Sequence, residues 1–416
     1  VVDAVDAMVD GLPPTDVDVT TYVRCCAATP LTPQAGVVVV AIDPIGNVVD
    51  GISDAAGHVT LANVQPNSTV YAGYAESDQL TTVLVTVFGV NPGVHLVFGD
   101  RFGAWDAHGT DGSMTVNVPA YAGANEYRVS SSCFSIPSGS TMITVPLVAR
   151  CQTPTTDLYA IAYDAQGGQP VATSYSPSAT STPGSVFATG PWIPSTPITA
   201  SISGLTGVTG YVDIDLGSVA TSGYDGTLGR ATPVNGSATL SMLAPRSAPA
   251  LMAYATAELP PNGMGKHEYA AKVATNATQA TLVDPGIPWV GQSLSDGTVV
   301  TLSLTSGVYD AATVVSSWSR VDASSIHHTL MWSVIMPAGM TSFPWYPTLP
   351  AELAPFLVQP EDQQHGIYGS TTLVDFSDAA TYDAALARPE WAFEVPSAAA
   401  SVGDVEGGVA IAHGPQ

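Results

Sequence analysis

The sequence predicts an all-β protein made of tandem β-sandwich modules, with one short helix near residues 377–388. Three observations carry this. Strand-like runs recur at roughly 8–12-residue spacing between turn residues, the rhythm of a sandwich. Gly (39) and Pro (33) are abundant among 416 residues rich in Val, Thr and Ser, the composition of strands joined by turns. Helical patterning is confined to the end of the chain. "SDAATYDAALARPEW" starts on a Ser-Asp cap and stops before Pro389, and "PAELAPFL" at 350–357 adds one turn.

Taken in order, residues 1–14 carry Val2, Val5, Met8 and Leu12 at the spacing of a short amphipathic helix, but their Asp/Ala content and closing Pro pair fit a tether better. From Asp16 the pattern alternates. Val17, Val19 and Val23 fall on one face, and Asp16, Asp18, Tyr22 and Arg24 on the other, as in a half-buried strand. Strand-like runs follow at 36–43, 47–53, 58–64 and 69–75, bounded by "DPIGN", "SDAAG" and "QPNS". An Ala-x-Asp-x-x-Gly passage between two strands occurs at Asp43 and again at Asp164, a weak internal repeat that suggests related modules. Pro/Gly-rich junctions at 98–112, 190–197 and 283–289 divide the chain into an arm (1–14) and sandwiches at 15–103, 104–195, 196–285 and 286–416.

The formal charge of −25 comes from a shortage of bases: 35 Asp and Glu stand against 10 Lys and Arg, of which only Lys266 and Lys272 are lysines. No basic stripe exists to neutralise phosphates, which excludes nucleic acid and disfavours anionic membrane surfaces as partners. Apolar runs such as "GVVVVAI" at 36–42 are far shorter than a transmembrane helix. The chain opens on Val1 without an initiator Met, which reads as the start of a processed or trimmed chain. Four cysteines in a lysine-poor β-protein favour an oxidising, extracellular compartment. Cys133 and Cys151 end two strand-like runs around the turn-like "SIPSGS" and are expected to bridge; Cys25 and Cys26 form a vicinal bridge or pair elsewhere.

Residues 34–75 carry a strand, a D-x-x-G turn (Asp43 to Gly46), a second strand, Ser53-Asp54 leading to Gly57, and a Pro turn at Gln65-Pro66-Asn67. This order resembles the carboxypeptidase regulatory-like domain, a small transthyretin-like sandwich, over about a tenth of the chain. The resemblance implies a non-catalytic accessory module of a secreted or surface protein; the metal-binding catalytic half of a carboxypeptidase has no counterpart here. The whole chain looks like bacterial multidomain surface proteins. Residues 287–400, through "TLMWSVIMPAGMTSFPWYPTLP" at 329–350, are weakly similar to a fibronectin type III-like, immunoglobulin-like sandwich.

Candidate chemistry is sparse. Asp50, Asp54 and His58 lie four residues apart, the spacing of a helical metal site, but Asp54 and Gly57 read as the turn of a hairpin between 47–53 and 58–64, and no metal is expected there. None of the eight histidines forms a helix-borne ligand pair, and no Gly-x-Ser-x-Gly or phosphate loop occurs. Asp100, Asp106 and Asp111, with His108, form an oxygen-rich loop of the kind that holds calcium, but their spacing is irregular and an interdomain linker is the preferred reading. Asp213 and Asp215 share a strand face, which solvated alternation explains. Trp318, Phe343, Trp345 and Tyr346 either fill a core or stack on a sugar or partner.

The sequence therefore predicts a non-catalytic secreted or cell-surface protein, structural or adhesive, needing no cofactor. It would contact copies of itself or neighbouring surface proteins, with an arm strand at 16–24 that either joins a neighbour's sheet or closes its own sandwich. The alternative is a carbohydrate-binding accessory using the aromatics at 318–346.

Overall fold

Alternating and fully apolar runs become strands, and the question is which strands they meet. A computed structural model describes residues 15–23, 32–75, 81–99, 110–131, 134–148, 155–166, 168–208, 210–218, 226–244, 246–247, 251–258, 265–291, 294–295, 298–321, 326–345, 347–357, 359, 362, 368–394 and 408–414. The described residues begin with β1 (Val17–Val23), β2 (Thr32–Pro33), β3 (Val38–Ile42), β4 (Val48–Ile52), β5 (His58–Leu61), β6 (Ser68–Ala75), β7 (Thr81–Val90) and β8 (His95–Gly99). It continues through β9 (Thr110–Asn117), β10 (Glu126–Ser130), β11 (Ser135–Ser138), β12 (Met142–Val148), β13 (Thr155–Tyr163), β14 (Pro170–Thr180), β15 (Val186–Ala188) and β16 (Ile193–Pro194). Next come β17 (Thr196–Ser203), β18 (Val212–Ser218), β19 (Gly226–Ala231), β20 (Ala238–Ala244), β21 (Leu251–Glu258), β22 (Lys266–Val273) and β23 (Gln279–Val283). The last part holds β24 (Leu294–Ser295), β25 (Val299–Thr301), β26 (Ala311–Val321), β27 (His327–Pro337), β28 (Ser342–Pro344), β29 (Tyr368–Phe376), the helices α1 (Tyr382–Leu386) and α2 (Trp391–Glu394), and β30 (Val409–His413).

The protein is all-β, and its sandwiches are joined by hydrogen bonds. One 12-stranded sheet runs in the order β19-β18-β21-β22-β30-β29-β26-β27-β7-β6-β3-β4. Two joints make it continuous. The last described strand, β30, pairs antiparallel with β22 on one side and β29 on the other. On the far side, β27 runs parallel to β7 from Thr329↔Thr81 to Ile335↔Val87. Smaller sheets lie apart from it: β2-β1-β5 with β8 on β1, β20-β17-β23, and β24-β25-β28. Residues 110–194 instead form two separate sheets, β11-β10-β13-β14-β16 and β12-β9-β15, and enclose their own core around Met114, Val129, Val145 and Leu158.

Burial follows the sheets. One cluster joins Ile214, Leu282, Trp332 and Leu373 with Val40 and Leu84 from the first part of the chain. A second joins Val19, Leu61 and Val85 with Ile335, Phe376 and Ile411. The alternation holds at 16–19, where Val17 and Val19 are buried and Asp16 and Asp18 are exposed. Tyr22, expected on the solvent face, is corrected, because it is 1% exposed and packs in the same core as Val17 and Val19. Arg24 lies outside the described residues. Both edges of β1 are occupied within the chain, by β5 and β8. Of the two fates the alternation leaves open, this structure shows the strand closing its own sandwich.

The turns at Asp43 and Asp54 form as the residues predict. Asp43 Oδ1 accepts the backbone N–H groups of Ile45 and Asn47, at 2.9 and 2.8 Å. Asp54 Oδ1 accepts those of Ala56 and His58, at 2.8 and 2.9 Å. Gly57 has φ 75°, and a Cβ there would collide with the Thr21 carbonyl oxygen. The hairpin expected around this turn is corrected, however. β4 stays in the long sheet while β5 crosses to pair with β1, because Leu61 must reach the core beside Val17. "SIPSGS" is also corrected: Ser135–Ser138 is strand β11, paired with β10. The helix near 377–388 exists but is shorter. Thr381 caps it, its Oγ1 accepting the Ala384 N–H at 3.2 Å, while Asp378 instead pairs with Arg388.

The β30 joint generates a test. Ile411 is fully buried and sits between Glu268 and Val374. Ile411→Ala should cost about 2–5 kcal/mol. Ile411→Pro should cost more, because a proline at a central-strand position removes a ladder donor. Calorimetry should show Ile411→Pro splitting one transition into two; a single transition at the wild-type temperature would show that β30 does not join the sheet.

Candidate functional site

The densest set of titratable groups lies at the β22–β30–β29 joint. Successive strand residues face opposite ways, so β22 sends His267 and Tyr269 to one side and Lys266 and Glu268 to the other. His267 is stacked on Trp289, with ring centroids 3.5 Å apart and planes at 15°. Its Nε2 is 3.3 Å from the Pro288 carbonyl oxygen and its Nδ1 is 3.1 Å from the Tyr269 hydroxyl. That hydroxyl also contacts the Asp284 carboxylate, which raises the phenol strongly, after burial. Asp284 in turn accepts the Gly286 and Ile287 N–H groups and shapes the loop that carries Trp289. A neutral imidazole and a phenol supply two protons for these three contacts, so the network is one proton short. Burial first, and then the charge of His413, nevertheless hold His267 down to about 4, against the opposing pull of the Pro288 carbonyl.

On the opposite face, burial would raise Glu268. The hydrogen bond and charge of His413, then the bonds from Lys266 and Tyr254, outweigh it and bring the carboxyl to about 2. His413 Nε2 stands 3.3 Å from Glu268 Oε2, and Lys266 forms an ion pair with the other oxygen. These groups brace the strand joint from both faces.

Beside them is a cleft of about 400 Å³ lined by Tyr269, Pro285, Asp375, Ser377 and Val409. Asp375 aligns with Ala410, which aligns with Tyr269, so all three share a face. Burial first, and then the charges of Asp310 and Asp284, lift Asp375 to about 6. Asp310 is itself raised by burial, although it accepts the Phe376 N–H at 2.8 Å. A carboxyl that titrates near neutrality in a cleft marks a candidate site. Sequence reading missed it because Tyr269, Asp284, Asp310 and Asp375 are far apart along the chain and belong to no motif.

The residues singled out from sequence fall elsewhere. Trp318, Phe343 and Trp345 are buried, at 2%, 2% and 8% exposure. Trp332 packs against Phe343 at 5.6 Å and against Trp345 at 5.4 Å, so these rings pack on one another in the core and offer no free face to a sugar. Tyr346, Cys25, Cys26, Cys133, Cys151, Asp100 and Asp106 lie outside the described residues, and Asp111 is placed only as backbone of β9. Asp213 is held by Arg230 through bonds of 2.6 and 2.8 Å. Among the described residues no three His, Cys, Asp or Glu side chains are grouped to hold a metal, and no helix is long and apolar enough to cross a membrane.

No family model and no curated protein matches the chain. Among solved structures it is similar to the Bacillus anthracis TIE protein, with a TM-score of 0.16 and 9% identity over 65% of this chain and 50% of that one. It is also similar to the pilus adhesin SpaC of Lactobacillus rhamnosus GG (0.15, 8%, covering 78% and 44%) and the full-length major pilin RrgB of Streptococcus pneumoniae (0.14, 8%, covering 75% and 76%). The chain spans half or less of the first two. Scores this low carry no argument, and the fold rests on the sheets described above.

Two pH tests follow. Asp375 is raised from 3.8 to about 6, so its favourable contribution is complete below pH 3.8 and is lost as pH rises through 6. Asp375→Asn should therefore stabilise the protein at pH 7.5, by about 1 kcal/mol after solvent screening, with no gain below pH 3.8. Glu268 behaves oppositely: its contribution is present above pH 4.5 and lost as pH falls towards 2. Glu268→Gln should cost about 3 kcal/mol at pH 7 and little near pH 2. Thermal melts across pH 2–8 check both signs.

Proposed function

We propose that the chain is a non-catalytic structural or adhesive element of a secreted or cell-surface protein. The observation that supports this is how the reactive groups at the β22–β30–β29 joint are employed. His267 is enclosed by Trp289, Pro288 and Tyr269. Glu268 is enclosed by Lys266, His413 and Tyr254. Glu268 on β22 ties its strand to β30 through His413 and to β21 through Tyr254, and His267 packs the Pro288–Trp289 loop onto β22, bracing that suits a load-bearing sheet. An oxidising location and a Cys133–Cys151 bridge belong to the same proposal, and mass mapping of the unreduced protein tests the bridge.

Self-association would run through the ends of the long sheet, since β1 is already paired on both sides. At the β4 end, Val48 and Ile52 are 50% and 64% exposed along the edge strand, with Ile45 at 84% in the adjoining turn. An exposed apolar edge is a template for strand addition. Light scattering and electron microscopy of the native protein should show concentration-dependent association, and a Val48→Lys, Ile52→Lys double variant should stay monomeric without losing thermal stability. A wild-type protein that is strictly monomeric at high concentration would rule out the self-assembling form.

The carbohydrate alternative meets the burial of its aromatics. Trp345→Ala is expected to lower the melting temperature and leave a glycan array unchanged; loss of a specific glycan at unchanged stability would reinstate that reading.

A further inference from the structure

Asp50, Asp54 and His58 do not form a site together, since Asp50 is on β4 and Asp54 is committed to its turn. His58 meets a different histidine. β5 and β8 flank β1, with His58 opposite Thr20 and His95 opposite Asp18. Residues paired directly across a sheet share a face. Asp18, His58, Thr60 and His95 are exposed around a half-buried Thr20, while Val17, Val19, Leu61 and Leu96 fill the core behind them. Thr20 Oγ1 stands 3.2 Å from His58 Nδ1 and 2.8 Å from His95 Nε2. Two ring nitrogens from separate strands therefore aim at one point, where the hydroxyl can donate to one ring and accept an N–H from the other.

We propose that His58 and His95 form a two-imidazole binding site for a divalent transition metal ion, zinc or copper, at the place the Thr20 hydroxyl now occupies. Imidazole nitrogen suits both ions. Zinc binds nitrogen at about 2.0–2.1 Å, so the two nitrogens must come to roughly 3.3 Å apart. Both histidines are exposed side chains and can close by rotamer adjustment, and Thr20 has a second χ1 well in which its hydroxyl turns away. The surroundings favour a cation. Asp54 is bonded to the His58 backbone and Asp18 lies directly beside His95, in a chain of formal charge −25. Only two protein ligands converge, so water completes the coordination and the site is open to solvent.

The test uses untagged full-length protein stripped with chelator. Titration with Zn(II), followed by calorimetry, should give one equivalent bound at micromolar concentrations, and Cu(II) loaded at one equivalent should show nitrogen hyperfine structure in its electron paramagnetic resonance spectrum. His58→Ala and His95→Ala should each weaken binding tenfold or more, and the double variant should abolish the nitrogen signal. These side chains are exposed, so melting temperatures without metal should not change. Thr20→Val removes the competing hydroxyl and should leave affinity equal or higher. Absence of binding at tenfold excess of metal, or binding unchanged in the double variant, would overturn the proposal.

Discussion

The rest of the structure depends on a ladder of backbone hydrogen bonds that ignores the boundaries between sandwiches. A sandwich module ordinarily leaves edge strands whose unpaired N–H and C=O groups must be covered. Here β30 occupies the gap between β22 and β29, and β27 lies alongside β7, so four edges become interior strands of one sheet. The side chains follow the backbone. Ile335 and Ile411, from the second half of the chain, pack with Val19 and Leu61 from its beginning. Burial at such joints is worth about 25 cal/mol per Å² of apolar surface, and it is available only once strands distant in sequence have paired.

Polar groups at the joint obey the same constraint. A buried charge is tolerated when it is paired and hydrogen-bonded, and Glu268 meets that condition through Lys266, His413 and Tyr254. His267 meets it by remaining neutral against Trp289. Asp375 does not, because burial raises it first and the like charges of Asp310 and Asp284 add to that. The joint therefore combines a pairing that strengthens the fold at neutral pH with a carboxyl that weakens it there. Below pH 6.5, protonation of His267 opposes folding while protonation of Asp375 favours it, and the balance moderates the acid response.

Aromatic residues show how burial redirects a plausible binding motif. A Phe-Pro-Trp-Tyr-Pro stretch resembles an exposed sugar platform when read as a string. Once β28 pairs with β25, Phe343 and Trp345 are turned onto Trp332, whose Nε1–H donates to Thr86 Oγ1 at 2.9 Å. The rings then bind the β27–β7 joint from within. The polar solvent face over β1 is the opposite case: it has no sequence motif, yet it gathers two histidines around a single hydroxyl.

What the sequence determined by itself is local. The Asp-x-x-Gly turns at Asp43 and Asp54, the alternation at the start of β1, the all-β class and the position of a late short helix follow from backbone preferences and side-chain periods acting over a few residues. Asp164 repeats the Asp43 device, its Oδ1 accepting the Gln169 N–H at 2.9 Å between β13 and β14. Only the tertiary structure decided which strands became neighbours. The turn after Asp54 looks the same whether it returns to the same sheet or crosses to another, and the core position open to Leu61 made it cross. The meeting of His58 with His95, the proton-short contact of His267 with Tyr269 and Asp284, and the raised Asp375 depend on strand register, which is set by burial summed over whole faces and leaves no mark at any single residue.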